Sequence, residues 1–95
     1  MTTPALPQLF VYTRDGCHLC DDALAIVQGL LEDRAANGRR LAAIHERDIG
    51  TDAEWERQFG TTIPVLEIGG RRLELATSPA RIRRFLDGAL DGAVA

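Results

Sequence analysis

The stretch that decides the fold runs Gln8-Leu9-Phe10-Val11-Tyr12-Thr13-Arg14-Asp15-Gly16-Cys17-His18-Leu19-Cys20. Gln8 to Thr13 is short, rich in aromatic and β-branched residues, and bounded by Pro7 and the turn pair Asp15-Gly16, which reads as a buried strand. From His18 the period changes. Cys20, Leu24, Val27 and Leu31 recur at i, i+4, i+7 and i+11, with Leu19, Ala23, Ile26 and Leu30 beside them. That stripe is wide enough for a helix to lie on a sheet, and Asn37-Gly38 ends it. Cys17 therefore falls where a strand has ended and a helix begins.

Further along the chain, Leu41 to Ile49 reads as a second strand whose alternation is poor, since Ile44 shares a face with Glu46 and Asp48. An edge position tolerates that mixture. Thr51-Asp52-Ala53-Glu54 has the form of a capping box. The short helix after it carries Trp55 and Phe59 one turn apart, better suited to core than to a binding platform, and Gly60 ends it. Pro64 to Ile68 and Arg71 to Leu75 flank Gly69-Gly70 and predict a tight antiparallel hairpin. The last helix starts near Thr77-Ser78-Pro79, with a hydroxyl N-cap and proline in the first turn. Its apolar face is Ile82, Phe85, Leu86, Ala89 and Leu90, with Arg81, Arg83 and Arg84 off it. The order β-α-β-α-β-β-α implies an α/β fold with a mixed four-stranded sheet covered by helices.

Composition narrows the function. The 95 residues, 45% hydrophobic, suit one small domain over 1–95 with an ordered core of about 8–90. A net charge of −3 argues against a nucleic-acid binder. Residues 1–70 hold six Arg against eleven acids (−5), and residues 71–95 hold five Arg against three acids (+2), so the later Arg group reads as a solvated face. No run of about 18 apolar residues offers a membrane span. Met1 to Pro7 lacks a basic n-region and holds two prolines, so no secretory signal is expected. His45 reads as surface.

Cys17 and Cys20 are the only cysteines. Two are too few for a disulfide scaffold. A structural zinc site wants four ligands, and neither His18, His45 nor the acids supply a recognisable second pair. A bridge closing so small a loop adds little stability by constraining the unfolded chain. Chance pairing of two buried cysteines is the third alternative, disfavoured by the Asp15-Gly16 turn and the helix start at Cys17, and redox exchange is the favoured reading. Free amides and the helix dipole at Cys17 stabilise a thiolate, the form that attacks disulfides. Arg14 adds to that effect, and Asp15, Asp21 and Asp22 oppose it. Cys20, on the apolar stripe, suits the resolving role, with Cys17 as nucleophile. His18 either donates to the sulfur and tunes the couple or is an exposed first-turn residue without a role.

Cys-x-x-Cys after a first strand, followed some forty residues later by Thr62-Ile63-Pro64 before a hairpin, resembles the glutaredoxins of the thioredoxin fold. Gly16 to Asp22 and Phe59 to Leu66 resemble a bacterial glutaredoxin-like group with Gly-Cys-His-Leu-Cys and Phe-Gly-x-x-Ile-Pro-Val-Leu motifs, and the likeness spans Gln8 to Leu90. It implies a cis Pro64 facing Cys17, with Ile63 offering backbone groups to an extended substrate. It also implies that Arg14, Thr62 and Ile63 contact glutathione, the reductant it suggests. Where the family carries Gly-Gly and two acids, this chain has Glu74-Leu75 and then Ala76-Thr77-Ser78, which adds bulk and negative charge. Thr77 and Ser78 still offer hydroxyls and amides to a carboxylate.

The resulting expectation is a cytoplasmic, monomeric thiol–disulfide oxidoreductase with no tightly bound cofactor, no metal, and no nucleic-acid or membrane partner. Its partners are protein or small-molecule disulfides, reduced through glutathione or a thioredoxin-reductase-type donor. The alternative class is a non-catalytic module, either a glutathione-dependent [2Fe–2S] carrier or an adaptor docking a partner at the Pro64 groove.

Overall fold

Residues Gln8–Thr13 form strand β1, and both of its faces are covered. Leu9 and Val11 are fully buried on one face, while Tyr12 is buried on the other. A strand dry on both sides belongs in the middle of a sheet. In the computed structural model, which describes residues 6–92, β1 pairs in parallel with β2 (Ala43–Asp48) and antiparallel with β3 (Val65–Ile68). β3 continues through Gly69-Gly70 into β4 (Arg71–Leu73), giving the order β2-β1-β3-β4. β2 lies at an edge, as its mixed alternation predicts, although it is shorter than Leu41 to Ile49. The no-signal expectation for Met1 to Pro7 lies almost wholly outside the described residues, as do the ends of the 1–95 domain span.

Helix α1 (His18–Ala36) and helix α3 (Pro79–Leu90) cover one face of the sheet. There Val27, Leu31, Ile82, Leu86 and Leu90 pack with Leu9, Val11, Leu66 and Ile68. Helix α2 (Ala53–Phe59) lies on the other face, where Phe59, Ile49 and Val65 enclose Tyr12, with Trp55 partly buried beside them. The Tyr12 ring lies 4.2 Å from Phe59 and meets Trp55 edge-on at 5.8 Å. Its hydroxyl accepts from Arg47 at 2.8 Å and donates to Glu67 at 3.2 Å. Burial is the main cause of a Tyr12 ionisation pushed above 10.0.

Three details differ from the sequence reading. The residue capping α2 is Asp52 rather than Thr51: its carboxylate accepts from Glu54 N at 2.8 Å and Trp55 N at 3.2 Å. Thr51 instead ends a 3-10 turn (Ile49–Thr51), its hydroxyl donating to the Asp48 carbonyl at 2.7 Å. A carboxylate complements a helix start better than a hydroxyl does. Leu19 is not part of the buried stripe, being 55% exposed. β4 stops at Leu73, and Leu75 turns into a left-handed backbone at φ 49°. The N-cap of α3 is Ser78, with Pro79 following, as predicted.

The far end of α1 carries a buried charge that periodicity does not reveal. The helix closes with Gly38 at φ 66°, Gly38 N on Ala35 O and Arg39 N on Arg34 O, the Schellman pattern for which glycine is preferred. Arg34 is 4% exposed. Its guanidinium donates to the Arg40 carbonyl at 2.6 Å, to Asp87 at 2.8 Å and to Asp91. Arg39 also pairs with Asp91. One side chain thus ties the end of α1 to the end of α3. The hydrogen bond from Arg34 holds the Asp91 carboxyl below its ordinary value of 3.8.

Arg34→Ala should lower stability by about 2 to 4 kcal/mol, because it opens a buried space and removes the side chain that joins the ends of α1 and α3. Asp91 has a depressed folded-state pKa, so its contribution is present above about pH 4 and fades as pH falls through the folded value. The stability gap between the native chain and Asp91→Asn, read by urea unfolding, should therefore be full near neutrality and close in acid. A gap independent of pH would contradict the assignment.

Candidate functional site

The site grows from one turn. Cys17 N donates to the Arg14 carbonyl at 3.1 Å, closing a turn whose third residue, Gly16, sits at φ 77°. A type II turn needs glycine at that position. The turn delivers Cys17 to the N-cap of α1, with φ −93° and ψ 105°. There its sulfur accepts the amide of Cys20 at 3.2 Å, so Cys17 Sγ takes the place that a serine or aspartate oxygen usually fills. Asp21 N donates to the Cys17 carbonyl at 3.1 Å, which sets the helix in register from its first turn.

The two sulfurs are bonded as a disulfide, with Cα atoms 5.2 Å apart. Their surroundings differ, as the helical stripe predicts. Cys20 is 1% exposed, whereas Cys17 is only partly covered. An incoming group can reach Cys17, and Cys20 lies behind it.

The second part of the site comes from the start of β3. Tyr12 pairs with Val65, so the antiparallel register brings Pro64 to the end of the sheet where β1 turns toward Cys17. The Ile63-Pro64 peptide is cis, as the resemblance implies, and Pro64 is buried. The segment is held from below. Thr62 N donates to Phe59 O at 3.0 Å, Leu75 N to Thr62 O at 2.9 Å, and Ala76 N to Pro64 O at 2.8 Å. Among the described residues, neither the amide nor the carbonyl of Ile63 takes part in a backbone–backbone hydrogen bond.

The other candidate residues are placed less closely. His18 is exposed at the first position of α1. The Arg14 guanidinium pairs with Glu56 of α2, a partner that sequence reasoning missed. The sequence carries little signal for this pair, since Arg14 and Glu56 are 42 residues apart on different elements. Ser78 Oγ accepts from Arg81 N at 3.3 Å, and Thr77 N donates to Leu75 O at 2.8 Å, so both lie beside the Thr62–Pro64 segment through Leu75 and Ala76. Among the described residues, no three His, Cys, Asp or Glu side chains are placed to hold a metal ion, and no helix is long and apolar enough to cross a membrane.

A four-stranded mixed sheet flanked by three helices, with a Cys-x-x-Cys pair at the first helix start and a cis-proline leading into β3 at the same end of the sheet, defines the thioredoxin-like class. The glutaredoxin-like domain family (DUF836) matches residues 8–87, and the chain belongs to that family. Protein XcR50 from X. campestris, seen by X-ray, is 35% identical over 85% of this chain and 97% of its own, with a TM-score of 0.68. Protein Ne2328 from Nitrosomonas europaea, an NMR structure, is 25% identical over 98% of this chain and 95% of its own, with a TM-score of 0.59. A malarial protein shares the fold at 11% identity, covering 90% of this chain and 98% of its own, with a TM-score of 0.62. No curated protein matches the chain.

Once the pair is reduced, the helix start should favour the Cys17 thiolate while burial disfavours that of Cys20. Thiolate absorbance followed against pH should give a first midpoint below the free-cysteine value of about 8.5, and Cys17→Ser should remove it. A first midpoint at or above that value would contradict the asymmetry.

Proposed function

We propose that the chain is a thiol–disulfide oxidoreductase. The observation that carries this reading is the unequal exposure of two cysteines already within bonding reach of each other. The Cys17 thiolate attacks one sulfur of a substrate disulfide; that S–S bond breaks, the first half leaves as a thiol, and a mixed disulfide forms on Cys17. Cys20, deprotonated, then attacks Cys17 Sγ and releases the second half. Two electrons pass from the dithiol to the substrate, and Cys17–Cys20 is left oxidised. Regeneration needs an external dithiol or two thiols, for which glutathione and a thioredoxin-reductase-type donor are the candidate classes.

Each neighbour has a part in this scheme. Ile63, whose amide and carbonyl have no hydrogen-bond partner among the described residues, offers them to the chain that bears the disulfide, as an added strand would receive them. Pro64, lacking an N–H, offers no donor to compete for the thiolate. Arg14, engaged by Glu56, lends only screened charge, so thiolate stabilisation falls mainly to the helix start. Residues Thr77 and Ser78 stand ready for a terminal carboxylate, although the Ser78 hydroxyl already caps α3. The proposed setting is the cytoplasm, where a cycling pair is kept reduced.

Cys17→Ser should abolish reduction of a small disulfide, and Cys20→Ser should accumulate a mixed disulfide with substrate, read as added mass on the intact protein. Retained turnover in Cys17→Ser would exclude the mechanism. Turnover of insulin disulfides sustained by a thioredoxin-reductase-type donor but not by reduced glutathione would identify the donor as a reductase type.

A further inference from the structure

Leu75 is out of place on ordinary grounds. It adopts φ 49°, the sole non-glycine residue at positive φ among those described, and its side chain is 50% exposed. A branched side chain in that conformation is strained, and an exposed one recovers little by packing. The surroundings nevertheless over-determine the bend. Leu75 N is held by Thr62 O, and Leu75 O accepts from Thr77 N at 2.8 Å and from Arg81 at 3.2 Å. Arg81 also donates to the Glu74 carbonyl at 3.3 Å. With both backbone groups occupied, the half-exposed side chain of Leu75 is what the bend leaves uncommitted. It stands beside Thr62-Ile63-Pro64, at the end of the sheet where Cys17 lies. Leu19, between the two cysteines, is a second exposed leucine at that end.

We infer that Leu75 is a specificity-determining residue of the Cys17 site, selecting disulfides carried on an extended polypeptide with an apolar residue beside the half-cystine. The inference rests on the exchange chemistry proposed above. The occupant follows from three features together. Cys17 can be reached only from the outside, Ile63 has an amide and a carbonyl free to pair with a passing strand, and the bend beyond it offers apolar surface. A polypeptide strand satisfies all three at once, pairing at Ile63 and covering Leu75 with an alternate side chain. Glutathione, a charged tripeptide, carries no apolar side chain to set against that leucine. Arg81 acts through Leu75 as a positioning residue, bracing the carbonyls of the bend.

The test uses the reduced full chain and three probes: glutathione disulfide, a symmetric peptide disulfide with leucine on both sides of the cysteine, and the same peptide with serine there. Oxidation of the dithiol is followed by alkylation and intact mass. The native protein should react faster with the leucine peptide than with either of the others. Leu75→Gly relieves the backbone and should fold. In it, the ratio of leucine-peptide to serine-peptide rates should drop about fivefold, the factor that covering half a leucine side chain supplies. Leu75→Met keeps the apolar reach and should restore most of the ratio. An unchanged ratio in Leu75→Gly, with the native chain active, would overturn the role of Leu75 alone. A native chain inert to all three probes would overturn the exchange chemistry and the inference with it.

Discussion

Cys20 is the first residue of the stripe that α1 buries against the sheet, and its burial governs everything at the site. Cys20, Ala23, Val27 and Leu31 hold the helix on β1, which leaves Cys17 three residues earlier, at a helix start and no deeper. That position supplies the free amides that favour a thiolate, and it also keeps the sulfur within reach of solvent. The same central strand sets the other half of the site. β1 pairs with β3 so that the chain entering β3 arrives at the strand end from which the Cys17 turn departs. Two segments distant in sequence are thereby brought to the same end of the sheet by one strand register.

The opposite end of the domain works differently. There the helix ends are joined by charge rather than by apolar surface, with Arg34 bridging α1 to Asp87 of α3 and to Asp91 just beyond it. A buried arginine is costly unless all its donors are used, and here its contacts are a carbonyl and two acids. This anchor keeps α1 and α3 together far from the cysteines. The end that carries the cysteines also carries two exposed leucines, Leu19 and Leu75, and the left-handed bend at Leu75.

Much of this was legible from residues alone, for identifiable reasons. β1 is an apolar run bounded by Pro7 and Gly16. The stripes of α1 and α3 repeat at helical spacing, and Ser78-Pro79 announces a helix start. The site was legible as far as Cys17, Cys20 and the Ile63-Pro64 segment, the last only through resemblance. What escaped depends on tertiary neighbours. Arg34 occupies the next position of an apolar stripe, which periodicity assigns to no charge, and Leu19 sits beside Cys20 yet faces outward. Asp52 rather than Thr51 caps α2, its carboxylate complementing the helix start while Thr51 ends the preceding 3-10 turn, a turn the sequence does not announce. Nothing in Glu74-Leu75-Ala76 marks a left-handed bend, because no glycine stands there. Its hydrogen bonds come from Thr62, Pro64 and Arg81, which the sequence places up to about a dozen residues away.

The central claim is that Cys17–Cys20 is a cycling couple rather than a fixed cross-link. Its most direct test is the equilibrium of the pair against glutathione buffers of graded composition, read as the fraction of dithiol after alkylation. Stabilisation of the Cys17 thiolate by the helix start favours the reduced form. The midpoint should therefore lie above about −270 mV, in the range of disulfide catalysts. A pair that stays oxidised in every buffer, with a midpoint below about −300 mV, would mark a structural bridge and contradict the account.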